Sequence, residues 1–159
     1  METTDILLYE TGASGDFFIE NGDLLMGESL YQQIFLALFG GNIEASTKDE
    51  YLESEERFDY WGNVLIWKKE KSKQFNSETE RTIQENVLNS QGRLAILRAV
   101  NEDLTYLKTI INYTVDVIIS GRDNLKIIVS FTEKSNQQDK VLQMVYNNAK
   151  NEVIIEKLI

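Results

Sequence analysis

At Asn112 the spacing of apolar residues changes from helical to alternating, and few architectures accommodate both halves. Before it, Leu94, Leu97, Val100, Leu104, Leu107 and Ile111 fall three and four residues apart, with Arg93, Arg98, Asn101, Glu102 and Lys108 on other faces. This spacing follows the 3.6-residue helical turn and predicts a long helix at about 91–110. After it, Tyr113, Val115, Val117 and Ile119 alternate with Thr114, Asp116, Ile118 and Ser120. Leu125, Ile127, Val129 and Phe131 repeat the alternation beyond a GRDN loop, which is the pattern of two antiparallel strands joined tightly. The tail KVLQMVYNNAKNEVIIEKLI offers a further pair around NNAKN. The fold class expected is α+β, with a long helix packed on an antiparallel C-terminal sheet.

Upstream, DILLYETGASGDFFIENGDLLMG consists of short apolar runs broken by glycine-containing turns. Asn21-Gly22 lies between GDFFIE and DLLMG, and Asn-Gly tolerates the positive φ angles of a two-residue type I′ turn, so an N-terminal β-hairpin is expected. Leu30, Ile34 and Leu38 then recur every fourth residue beside a stripe of Tyr31, Phe35 and Phe39, predicting a largely buried helix from about Ser29 to Phe39. Gly40-Gly41 ends it. Ser77 with Glu80 matches a capping box at the start of another helical segment, and Gly92 is expected to divide that segment into a short helix and a long one, making two to three helices in all. Residues 42–58 read as a variable acidic loop inside a single domain spanning 1–159.

The residue inventory excludes several chemistries. The chain has no histidine and no cysteine, so a Ser-His-Asp triad, a thiol nucleophile, a disulfide framework and a thiolate zinc site are all out of reach. A net charge of −10 argues against nucleic acid and anionic membrane surfaces as partners. No basic start followed by an apolar core marks an export signal, and no run approaches the roughly 20 apolar residues of a spanning helix, so a soluble protein kept in the cytosol of its producing cell is expected. Neither a phosphate-loop nor a dinucleotide-binding glycine string occurs, and no cofactor or small-molecule substrate is expected. Glu53, Glu55 and Glu56 form the densest carboxylate cluster, which reads as solvated loop rather than catalytic pair. Asp123 and Asn124 suit a hairpin loop by turn geometry alone, and the calcium-loop string is absent, so no metal is expected.

FDYWGN, from Phe58 to Asn63, crowds three aromatic rings against a glycine. Tyr60, Trp61 and Trp67 are read either as caps on a small core, the commoner fate of tryptophan, or as anchors for a partner protein. Gly62 gives the backbone a turn that a side chain would oppose.

The order of these pieces resembles the Mu-type bacteriophage baseplate wedge family, which is similar in fold to the wedge component encoded by gene 25 of phage T4. Gly22, Asp23 and Leu24 match the family's Gly-Asp-Leu turn, Leu36 and Leu38 the leucine-rich end of its first helix, and Trp61 with Gly62 its Trp-Gly pair. The Glu-Pro-Arg signature of the T4-type relatives is absent, as the chain has no proline. The resemblance implies a structural, non-enzymatic subunit of a contractile tail or tail-like baseplate, found in the virion and assembled in the host cytoplasm. The partners implied are other wedge and hub proteins and the tail sheath subunit, whose assembly it would seed by strand addition. Either the N-terminal or the C-terminal strands are expected to form the accepting edge, with Val153, Ile154 and Ile155, in the apolar C-terminal strand, as the candidate interaction residues. Two alternatives remain at this level: a small regulatory adaptor of the same fold, or a carboxylate-dependent cell-wall hydrolase.

Overall fold

A computed structural model describes residues 4–10, 15–17, 19–41, 75–135, 137–150 and 152–158. Trp61, Gly62, Trp67, the acidic stretch 42–58 and its Glu53, Glu55 and Glu56 lie outside the described residues. The chain divides into two compact units, Met1–Ser77 and Glu78–Ile159, where the sequence reading treats 1–159 as one domain.

In the first unit the strands are short: β1 (Thr4–Ile6), β2 (Leu8–Glu10), β3 (Gly15–Phe17), β4 (Ile19–Glu20), β5 (Asp23–Leu24) and β6 (Met26–Glu28). β1 pairs with β6, β2 with β3 and β4 with β5, all antiparallel. The expected hairpin is β4–β5, and Asn21 and Gly22 at its turn carry φ of 53° and 84°, the double positive-φ signature of a type I′ turn. The other two pairings were not anticipated, because strands of two or three residues are too short to show alternation.

Helix α1 runs Ser29–Phe39, with Leu30, Ile34, Phe35, Leu38 and Phe39 buried and the two phenylalanine rings 5.9 Å apart. Its two terminal glycines act differently. Gly40 keeps a helical φ of −83°, and a Cβ there would come within 2.9 Å of the Phe75 ring; Gly41 holds the positive φ, 142°. Ser77 is fastened to this helix end: its N–H donates to the Gly41 carbonyl at 2.7 Å and its hydroxyl to the Leu38 carbonyl.

The second unit is α+β. Helices α2 (Glu78–Glu85) and α3 (Ser90–Asp103) and a 3-10 turn (Thr105–Thr109) precede β7 (Ile111–Ser120), β8 (Asn124–Glu133), β9 (Asp139–Asn147) and β10 (Glu152–Leu158). The four strands form an antiparallel meander in the order β10-β9-β8-β7. Leu125, Ile127, Val129 and Phe131 on β8 are buried in strict alternation, as the period-two pattern requires. Gly121, at φ 82°, turns β7 into β8.

Expectations about these helices are corrected here. The helical segment breaks at Asn86–Asn89 rather than at Gly92, because Asn89 caps α3 by accepting from the N–H groups of Gln91 and Gly92 at 2.9 Å. The first turn of α2 is capped from α3: the N–H groups of Glu78 and Thr79 donate to the two carboxylate oxygens of Asp103, at 3.0 and 2.8 Å. The apolar stripe of α3 passes through Ile96, Ala99 and Val100, leaving Leu94 59% exposed, and the expected helix to about 110 ends in the tighter 3-10 turn.

Candidate functional site

The four-stranded sheet has two outer strands, β7 and β10, and the chemistry of their outward backbone groups follows from hydrogen-bond parity. In an antiparallel pair, alternate residues exchange bonds with a given neighbour. The Lys134 N–H donates to the Ile110 carbonyl at 3.1 Å, and the register from Ile111↔Glu133 to Ser120↔Asn124 is unbroken. Even-numbered residues of β7 therefore bond to β8, and Tyr113, Val115, Val117 and Ile119 turn their N–H and C=O groups outward.

At Val117 both outward groups are occupied by side chains. The N–H donates to Asp116 Oδ1 at 2.8 Å, and the carbonyl accepts from Arg93 Nη1 at 3.2 Å. Arg93 and Asp116 are themselves 3.8 Å apart. A cleft of about 510 Å³ lies alongside, lined by Asn89, Ser90, Arg93 and the β7 segment Asp116, Val117, Ile118 and Ile119. Arg93 sits near the N-terminus of α3, where the helix dipole disfavours a cation, so the strand contact rather than the helix accounts for its position.

At the opposite side, the Asn148 N–H donates to the Asp123 carbonyl at 2.7 Å, which fixes even residues of β9 on β8 and odd ones on β10. The partners Glu152↔Asn147 and Ile154↔Val145 then face inward, leaving Val153 and Ile155 to point their backbone groups outward. Among the described residues no side chain occupies those groups as Asp116 and Arg93 do at Val117. The candidate edge residues are thus divided: the Val153 side chain is 2% exposed and part of the core, Ile154 is 42% exposed on the other face, and Ile155 is half-buried. A bulge between Ile155 and Lys157 ends the open stretch. Beside the bulge Glu156 bonds Lys126 on β8 at 2.9 Å and Gln143 on β9, and those bonds, from Lys126 first, hold its carboxyl below the ordinary value of 4.5.

The remaining candidate residues are in the first unit. Gly22 and Asp23 shape the β4–β5 turn, Asp23 Oδ1 accepting from the Leu24 N–H at 2.8 Å, and Leu24 is 41% exposed. Leu36 and Leu38 are buried in α1. These are structural placements, and each is explained by turn geometry or burial.

Other chemistry is sparse in the described residues. Among them no group of three or more carboxylates could hold a metal ion, and no helix is long and apolar enough to cross a membrane. Glu80 is 2% exposed, with Gln84 Nε2 donating to it at 3.4 Å, so its carboxylate is closed to a substrate. Burial, reinforced by the nearby Glu80 charge, pushes the Tyr146 hydroxyl up to about 12.

Arg93 and Asp116 were not singled out by the sequence reading. The available signal was a charged residue at the centre of an otherwise apolar, alternating strand, a known means of protecting a sheet edge. No family model matches the chain, and neither a curated protein nor a solved structure matches it.

Proposed function

We propose that this protein is a structural subunit of a contractile tail, or tail-like, baseplate wedge, which binds neighbouring wedge and hub proteins and seeds the sheath. It acts without catalysis, in the virion baseplate after assembly in the host cytoplasm. The observation that carries this reading is the short β10 edge, whose outward groups at Val153 and Ile155 are not occupied by side chains among the described residues. A partner strand laid there gains backbone hydrogen bonds, and the adjoining Ile154 supplies apolar contact area. The order of sequence motifs supplies the identity of the partners.

Complex formation with wedge and sheath subunits from the same gene cluster, followed by light scattering coupled to size exclusion, tests the proposal. Deleting residues 153–159 would remove the buried Val153 along with the edge, so Ile155→Pro is the sharper variant. It removes an outward donor and no ladder bond, and a tolerated edge proline leaves the sheet intact. The expected loss is about 1 kcal/mol of binding, roughly fivefold in affinity. Undiminished binding by a folded Ile155→Pro protein would sink the β10 reading.

A further inference from the structure

We infer that Asp116 and Arg93 decide which edge of the C-terminal sheet accepts a strand, by closing β7 and leaving β10 as the open one. The role of β10 rests on the function proposed above; the closure of β7 stands on its own geometry.

The parity of each strand supports a shared device. At three positions among the described residues, an aspartate precedes an outward-facing N–H and its Oδ1 takes that N–H. Asp116 does so for Val117, at the middle of β7. Asp5 does so for Ile6 at 2.8 Å; the Leu7 N–H donates to Leu25, so odd residues of β1 bond to β6 and Ile6 faces outward. Asp23 does so for Leu24, outward because Glu20↔Asp23 closes the two-residue turn. In each case a carboxylate removes the donor that an added strand would need.

Only at Val117, among these positions, is the outward carbonyl also shown to be taken, by Arg93 across from α3. The occupied residue is central in the outward series Tyr113, Val115, Val117 and Ile119, so an incoming strand cannot form a continuous ladder without displacing both side chains. They also carry opposite charges 3.8 Å apart, a pair that strand addition would have to separate. On β10 the residues before the outward-facing Val153 and Ile155 are Glu152 and Ile154, and neither supplies the short aspartate reach.

The test is the double variant Arg93→Ala, Asp116→Ala, compared with the parent by light scattering and by amide hydrogen exchange. Both side chains are substantially exposed, at 40% and 61%, so the fold is expected to survive. With β7 opened, the occupant at hand is β7 of a second copy, paired antiparallel in an isologous dimer. The expected result is about a twofold rise in molar mass over the parent, with slowed exchange at Val115, Val117 and Ile119. An unchanged mass in a folded variant would overturn the inference, as would association without protection of those amides. If the double variant fails to fold, Asp116→Ala alone is measured, and faster exchange of the Val117 amide in dilute protein is required. Unfolding of both variants would assign the residues a purely structural role and overturn it too. None of these outcomes depends on wedge or sheath partners, so failure of the β10 reading is distinguishable from failure of this one.

Discussion

A Cβ at Gly92 would come within 2.1 Å of the Val87 carbonyl oxygen, a backbone atom that moves only with the α2–α3 connection. Gly92→Ala is therefore expected to destabilise the protein by about 1–3 kcal/mol, the usual scale of overpacking, as read by denaturant unfolding. Gly22 has open space around it yet a φ of 84°, so its role is conformational and not steric. Asp103→Ala removes the carboxylate that caps α2, and a loss of about 1–2 kcal/mol is expected in the same measurement; an unchanged midpoint would mean that the cap contributes nothing. What could be read at this scale was local. Asn21-Gly22 announces its turn because the two residues carry their own geometry. Gly92 and Asp103 do not, because the atoms that give them meaning belong to Val87 and to the first turn of α2.

Elements were legible in proportion to length and periodicity. α1 was read at its observed bounds and the β7–β8 pair was anticipated, since an eleven-residue apolar helix and ten-residue alternating strands leave little ambiguity. The expected stripe holds at Val100, Leu104, Leu107 and Ile111, all buried, but not at its start, where apolar residues occur on two faces of α3 and only packing decides that Ile96 is buried and Leu94 is not. The added contacts of the α2 start were not legible for a related reason: the Ser77 hydroxyl also donates to the end of α1, and Asp103 of α3 accepts from the Glu78 N–H, neither of which local spacing records. At β10 the bonds from Lys126 and Gln143 depress the Glu156 carboxyl, so ionised Glu156 favours the folded strand. That contribution is present above the ordinary carboxylate value of 4.5 and is lost as pH falls through the lowered folded value. Amide exchange across β9–β10 is expected to quicken on that acid limb, and Glu156→Gln should remove the Glu156 component of the dependence. The Tyr146 hydroxyl gives the opposite sign: raised to about 12 in the fold, it favours the folded state below the ordinary value of 10.0 and withdraws that support as pH rises toward 12. Tyrosinate absorbance should show a late step shared by Tyr146 and Tyr106, whose hydroxyl burial also pushes up to about 12, and Tyr146→Phe should shrink that step without abolishing it.

At the scale of the sheet, its two sides are treated unequally: β7 is blocked at its centre by Asp116 and Arg93, whereas β10 carries a bulge and, among the described residues, no side chain on its outward groups. That asymmetry could not be read from the alternation pattern, which records side-chain faces and not the direction of backbone groups. It suits a subunit that must accept one neighbouring strand without pairing to copies of itself, and a net charge of −10 further opposes self-association. The most direct measurement is the molar mass of the purified protein mixed with wedge and sheath subunits from its own gene cluster, run for the parent and for Ile155→Pro. A defined heteromer with the parent, weakened about fivefold by Ile155→Pro, is the expected result. A protein that ignores every such subunit, or binds them equally well with its β10 donor removed, would contradict it.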